Sequence, residues 1–369
     1  MKKVLFLIYQ LRGGGAEKIV IDIVNHMDKK KYDITVMTVV DCSLDKHLLQ
    51  EDIKYKYIFK GNFKFDRIFF KLMKSAKPKF LYSLFIKEKF DIEISAIEGI
   101  PSKIISGCNN ITTKKIAVIH ADCENIAWPS GRYKNLNQEE VSYRSFDQLI
   151  FVSTNTKKNF LNKYNVDQNK TNIIYNPFDI NYITEKSQEE ISDYKKEGYL
   201  FVSVGRLEKV KGYDRLIDAF FEVFKEYPQI KLLIVGDGAE RNKLMKKINQ
   251  MKMSNEILLL GYRENPYKYI SLGEAYICSS RSEGLSSSVI EAMIINKPIL
   301  TTDCGGMTEI LQNNRSGLIV ANNTKSIVYG MKEILENNNS LIKKMKIEQN
   351  KRMSEFSFEK YFEEFERLL

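Results

Sequence analysis

The chain has no Cys-x-x-Cys pair. Its five cysteines, Cys42, Cys108, Cys123, Cys278 and Cys304, are odd in number and widely spaced. That argues against a disulfide scaffold and a structural zinc site, and for reduced thiols in a cytosolic protein. Long apolar runs are also missing. No window approaches the ~18 apolar residues of a spanning helix. The start, MKKVLFLIYQLRGGG, carries a basic pair and an apolar run, but Gln10 and Arg12 cut that run short. It reads as a buried first strand, not a signal peptide. Any membrane is met from outside. No Asp-x-Asp pair stands at a strand end to clamp a divalent cation on a diphosphate. The expectation is therefore no metal and no cofactor.

What is present fits a globular protein. The 369 residues, 43% hydrophobic and 28% charged, give room for two domains of about 180 residues, each with a core. The net charge of +10 implies anionic partners: nucleic acid, phospholipid headgroups or phosphorylated substrates. Much of the excess lies in Lys60–Phe90, where nine lysines or arginines face only Asp66 and Glu88. Lys64, Arg67, Lys71 and Lys74 fall on one helical face, with Phe63, Phe65, Phe69, Phe70 and Phe80 interleaved. Such an arm can rest on an anionic membrane surface. Packed phenylalanines beneath wet lysines are the alternative. No recognition motif accompanies the charge, so a nucleic-acid partner is not expected.

Short apolar runs alternate with helical patterns along the whole chain. Val4–Tyr9, Tyr32–Val40, Ile92–Ser95, Lys115–Ile119 and Gln148–Val152 read as strands of a first half. Ile19, Val20, Ile23, Val24 and Met27 recur at helical spacing after the first of them. The segment NIIYNPFD, Asn172–Asp179, combines a short strand with an Asn-Pro turn. Ser187 and Glu190 are spaced as a capping box for a small helix. The pattern then restarts with strands Tyr199–Val204, Lys231–Val235, Ile257–Leu260, Glu274–Cys278 and Ile299–Thr302, and helices Leu216–Phe224 and Asn242–Met251. These are βαβ units, so the fold class is α/β with parallel sheets. The expected division is 1–176, 177–353 and a C-terminal helix, 354–369, packing back on the N-terminal domain.

Three constellations can carry chemistry. In YLFVSVGRLEKVKG a buried strand ends at Gly205, with Arg206 and Lys211 following. Strand ends in open α/β sheets are where ligands bind, and arginine and lysine both grip phosphate oxygens. A solvated basic loop is the bland reading. In LLIVGDGAE a strand runs into Gly236-Asp237-Gly238, a tight turn at another strand end. In SEGLSSSVIEAM, Glu283 and Glu291 stand eight positions apart around a serine-rich helix start. The N–H groups of that helix end suit an anion. Glu291 suits the vicinal hydroxyls of a ribose, and Glu283 a second polyol. Hydroxyls at both ends with phosphates between them is the order of a nucleotide sugar. A capped helix with two solvated acids is the alternative.

Together these pieces resemble the family-4 retaining glycosyltransferases over nearly the whole chain. The resemblance rests on Gly13–Gly15 with Ala16-Glu17, Asn176-Pro177, Gly205-Arg206 with Lys211, Gly236-Asp237-Gly238 and the Glu-x7-Glu pair Glu283/Glu291 with Gly284. It implies a GT-B fold: two facing Rossmann-like domains with a cleft between them, acceptor mainly on the first and donor mainly on the second. By the same resemblance, Arg206 and Lys211 hold the donor diphosphate, Glu291 holds the ribose hydroxyls, and Gly205 and Asp237 also bind the donor. Glu283 contacts the transferred sugar, and the backbone of Gly284, Leu285, Ser286 and Ser287 meets sugar and phosphate. Tyr262 lines the base pocket, and Gly14 and Gly15 let the first domain approach donor phosphate or acceptor. His120, in AVIHAD, stands where relatives carry a histidine near the sugar. Serines fill positions 286–288, where many relatives place proline or threonine.

The expected activity is metal-independent transfer of a hexose or N-acetylhexosamine, with retention, from a nucleoside-diphosphate sugar, UDP foremost. The expected acceptor is a hydroxyl of a lipid-linked saccharide or surface polysaccharide such as capsule or lipopolysaccharide. The expected location is cytoplasmic, peripheral on the inner face of the plasma membrane. A non-catalytic GT-B protein that binds a glycan or partner is the rival from another class. A GT-B epimerase or phosphorylase is a second, with poorer acid spacing.

Overall fold

The first strand sets the logic of the first sheet. In β1 (Lys2–Ile8) successive side chains point to opposite faces. Val4, Phe6 and Ile8 enter one apolar cluster, Leu5 and Leu7 another. A strand buried on both faces reads as a continuous apolar run, which is the mark of a parallel sheet with helices on each side. The computed structural model describes residues 1–12, 15–41, 45–61, 66–121, 130–336 and 340–369, with the side chains of 66–70 excepted.

Six further strands join β1: β2 (Tyr32–Asp41), β3 (Lys54–Lys60), β4 (Ile92–Ser95), β5 (Lys114–Ile119), β6 (Gln148–Phe151) and β7 (Thr171–Ile173). They lie in the order β3-β2-β1-β4-β5-β6-β7, parallel throughout. A second parallel sheet holds β8 (Tyr199–Val204), β9 (Ile230–Val235), β10 (Ile257–Gly261), β11 (Ala275–Cys278), β12 (Ile299–Thr302) and β13 (Leu318–Val320). Its order is β10-β9-β8-β11-β12-β13.

The chain forms two units, 1–177 with 358–369, and 178–357. Phe358–Phe365 is a helix that gives Tyr361 and Phe365 to the same cluster as Val4 and Phe6. The His26 ring stacks on Phe358 at 3.8 Å between centroids. Residues 354–357 stay with the second unit, where the Phe178 N–H donates to the Phe356 carbonyl at 2.8 Å.

Some elements differ from the reading of the sequence. Ser187 and Glu190 start no helix. The helix there is Ile180–Lys186, capped by the Asp179 carboxylate, which accepts from the Tyr182 N–H. Ser187 closes it instead, its N–H donating to the Ile183 carbonyl. The strand β3, KYKYIFK, escapes a search for apolar runs because lysines interrupt it. It is an edge strand, and its lysines discourage pairing with another chain. In the basic arm the helices are Asp66–Ser75 and Pro78–Phe85. Phe63, Lys64 and Phe65 lie outside the described residues. Among the described residues no helix is long and apolar enough to cross a membrane.

Candidate functional site

In each sheet the strand order reverses direction once, between β1 and β4 and between β8 and β11. At such a point the loops leaving the carboxyl ends of the strands part to opposite faces and open a crevice for a ligand. In the second unit the loop after β8 carries Gly205, Arg206 and Lys211, and the loop after β11 carries Glu283. The two loops meet. Lys211 Nζ donates to Glu283 Oε1 at 2.7 Å, and Ser280 Oγ donates to the same oxygen at 2.5 Å. Burial works against the Lys211 charge. The Glu283 carboxylate, and then Cys278, outweigh it and hold the ammonium above its ordinary range.

The Glu283 loop is anchored from behind. The buried Arg215 guanidinium donates to the Ser279 carbonyl from Nε and Nη2, at 3.0 and 2.7 Å. Its Nη2 also reaches the Ser280 carbonyl at 2.7 Å, and Nη1 the Asn322 carbonyl at 3.1 Å. Thr302 Oγ1 donates to the Ser280 carbonyl at 2.6 Å. Arg281 forks onto both oxygens of Asp214, each at 2.8 Å. Gly305, at φ +55°, closes the packing: a Cβ there would lie 1.8 Å from the Glu283 carbonyl oxygen. None of Arg215, Asp214, Thr302 or Gly305 stands out in the sequence. Their partners are mostly backbone carbonyls, which leave no spacing to recognise.

Gly284 continues the loop, its carbonyl accepting from the Gly306 N–H at 3.1 Å. Leu285 is half-buried. Ser286 is the N-cap of the helix Ser287–Ile294, yet its side chain does not cap. Ser286 Oγ instead lies 3.4 Å from Ser288 Oγ. The first N–H groups of the helix therefore take no side-chain oxygen from its own N-cap. Glu291 lies on this helix, nearly buried, and Tyr267 OH donates to its Oε1 at 3.4 Å. Arg206, Asp237 and Tyr262 follow the carboxyl ends of β8, β9 and β10 along one edge of the sheet. Arg206 is exposed and pairs with Glu208 at 2.8 Å. Asp237 Oδ1 accepts from the Gly238 N–H at 2.7 Å, and Tyr262 is exposed. Gly236, at φ +138°, has no room for a side chain, since a Cβ would sit 2.1 Å from the Gly205 carbonyl oxygen.

In the first unit Gly15 opens the helix Gly15–His26, while Gly13 and Gly14 lie outside the described residues. His120 follows β5, and its Nε2 donates to the Ala96 carbonyl at 3.1 Å. A carbonyl can only accept, so the proton is on Nε2 and Nδ1 carries the lone pair. Burial drives the imidazole down to about 4, against the bond to Ala96, so the ring is neutral near pH 7. Glu98, also missed in the sequence, is buried beside it and takes the N–H groups of His120 and Ala121 on Oε1.

Comparison with known proteins gives the family and the fold. Residues 13–182 match the Glycosyltransferase Family 4 model, and residues 184–355 match Glycosyl transferases group 1. An uncharacterized glycosyltransferase of Methanocaldococcus jannaschii is 30% identical over 77% of this chain and 78% of its own. The chain belongs to the family-4 glycosyltransferases. Another relative of this glycosyltransferase is a Campylobacter jejuni enzyme, 26% identical over 91% of both chains. It is N-acetylgalactosamine-N,N'-diacetylbacillosaminyl-diphospho-undecaprenol 4-alpha-N-acetylgalactosaminyltransferase. Among solved structures, HepE of Anabaena in complex with UDP and glucose aligns with a TM-score of 0.77 at 18% identity. That alignment covers 100% of this chain and 99% of HepE. Sucrose-phosphate synthase of Thermosynechococcus elongatus aligns with a TM-score of 0.79 at 15% identity, over 100% and 98%. These structures carry the fold, which is GT-B with two Rossmann-like domains.

Proposed function

We propose that this glycosyltransferase moves a hexose or N-acetylhexosamine from a UDP-sugar to a hydroxyl of a lipid-linked or surface-polysaccharide acceptor, with retained configuration. The observation that carries it is the Lys211–Glu283–Ser280 contact at the reversal point of the second sheet. A cation for phosphate and a carboxylate for sugar hydroxyls stand there side by side. Arg206 and Lys211 take the diphosphate oxygens, the glycine turn at Gly205 lets backbone approach them, and Asp237 meets another part of the donor. The helix end and the backbone of Gly284–Ser287 add N–H donors. Together they neutralise the leaving group by electrostatics preset in the fold, with no metal required. Glu291 takes the ribose hydroxyls, Tyr262 the base, and Glu283 the transferred sugar. In the first unit Gly15 opens the helix that serves the acceptor. His120 accepts a hydrogen bond at Nδ1 from a sugar hydroxyl.

The printed activities of relatives support the substrate classes. The Campylobacter enzyme is named for a diphospho-undecaprenol acceptor. A Staphylococcus aureus relative, 25% identical over 58% of this chain and 42% of its own, is a poly(ribitol-phosphate) alpha-N-acetylglucosaminyltransferase. The test is a panel of UDP-, GDP- and ADP-sugars, with release of the nucleoside diphosphate as the readout. One UDP-sugar is expected to be turned over at least tenfold faster than the GDP and ADP donors. Release from none of them removes the reading.

A cytoplasmic site on the membrane face is part of the same proposal. The arm shows Leu72, Phe80 and Leu84 to solvent, among its lysines, which suits an anionic surface. The protein is expected to sediment with vesicles rich in phosphatidylglycerol at low salt and to be released by high salt. Equal sedimentation with neutral vesicles, or none with either, counts against the arm.

A further inference from the structure

Glu98 is 1% exposed, and an acid is an expensive choice for so buried a place. It sits on the loop after β4, at the reversal point of the first sheet. Its Oε1 receives two consecutive backbone N–H groups, those of His120 and Ala121. Consecutive N–H groups of this kind form a concavity that grips an anion. Here the anion is a side chain of the same unit. Oε2 is buried and has no hydrogen-bond partner among the described residues.

The surroundings of Glu98 are acidic and phenolic. Glu139 and Tyr143 come from the helix Leu136–Arg144, and Tyr133 precedes it. All three are buried, and among the described residues the Glu139 carboxylate and both phenol oxygens make no close hydrogen bond. Lys103 lies over the Tyr133 ring, 5.5 Å from its centroid, with its ammonium on the Met73 and Lys74 carbonyls at 2.8 Å. Burial raises Glu139, against the hydroxyls of Ser130 and Tyr164 and the charge of Lys163. Burial raises Glu98 to about 7, against the N–H groups of Ala121, Glu98 itself and His120, and with Glu139 adding to the rise.

We propose that Glu98 is the positioning residue of His120: its carboxylate grips the backbone from which the imidazole is presented, and protonation of Glu98 loosens that grip. The inference rests on the reading of His120 as the group that meets the sugar. A bond to an ionised acceptor is about twice as strong as one to a neutral acceptor. The carboxylate state therefore holds the His120–Ala121 backbone tightly, and the acid state slackens it. The sign follows. Above pH 7 Glu98 is ionised and the ring is fixed; as pH falls through 7 the ring gains freedom. His120 itself titrates near pH 4, so a change near pH 7 does not come from its own proton.

The chain has three histidines, His26, His47 and His120, so selective labelling gives a readable spectrum. In the wild type the ring signals of His120 are expected to shift with a midpoint near pH 7, with the ring still neutral. In Glu98→Gln, which keeps an acceptor but cannot titrate, that shift is expected to vanish. Glu93→Gln is the control, since burial also raises Glu93 to about 7 on the neighbouring strand β4; it should keep the shift. In steady-state assays Glu98→Ala is expected to lower kcat by about 10²-fold, the cost of a displacement near 1 Å. Donor KM should stay within twofold, and Glu98→Gln, whose neutral acceptor matches the acid state, should lie between Glu98→Ala and the wild type at pH 8. A His120 signal flat around pH 7 in the wild type, or one that still moves in Glu98→Gln, overturns the proposal. So does an unchanged kcat in Glu98→Ala beside an active wild type. If the wild type releases no nucleoside diphosphate at any pH, the glycosyl-transfer reading fails, while the spectrum still decides the positioning role.

Discussion

Glutamine in place of Glu283 is expected to lower kcat by about 10²–10³-fold, the loss typical when one preset electrostatic contact is removed from a reacting centre. The amide keeps one oxygen for Ser280 Oγ. It loses the charge opposite Lys211, whose ammonium is half-buried at 2.7 Å from that oxygen. Lys211 then has one anion to serve, the donor diphosphate, so donor KM is expected to change little or fall. The backbone of the loop should hold its place, because Arg215, Thr302 and the Arg281–Asp214 fork do not depend on Glu283. A lowered kcat with steady KM marks an interaction made mainly in the transition state. A kcat within threefold of wild type would remove Glu283 from the sugar.

Much of the fold is legible because buried parallel strands announce themselves. The runs IKLLIV and YLFVSV are mostly apolar, broken only by Lys231 and Ser203, and both are interior strands of their sheet. The edge strands were harder. The lysines of β3 break its pattern, and β13 is too short to form one. The Ser187/Glu190 spacing misleads because Asp179, eight residues before Ser187, already caps the local helix. Spacing identifies a candidate cap but cannot say which of two caps wins. At the site, the strand-end residues were visible as separate motifs. The bond between Lys211 and Glu283 was not, since it joins positions 72 apart in sequence. Arg215 and Glu98 stayed hidden for one reason: each serves backbone groups of a distant loop, and backbone is the same at every position.

In the proposed function the second unit holds a nucleoside diphosphate, with Glu291 on its ribose. A carboxylate taking two hydroxyls makes charge-assisted bonds worth about 1.5–3 kcal/mol each. Losing them in Glu291→Ala should weaken UDP binding by about 100-fold or more. Leu285 and the helix Ser287–Ile294 should keep their places, since Val289, Ile290 and Met293 bury that helix independently of the carboxylate. Thermal unfolding reads the difference. UDP at a hundred times its dissociation constant should stabilise the wild type by about 2.7 kcal/mol. The same concentration should add only about 0.4 kcal/mol to a variant bound 100-fold more weakly. A clear shift in the wild type that collapses in Glu291→Ala is the predicted result. An equal shift in both proteins, or no shift of the wild type with UDP, would contradict the account.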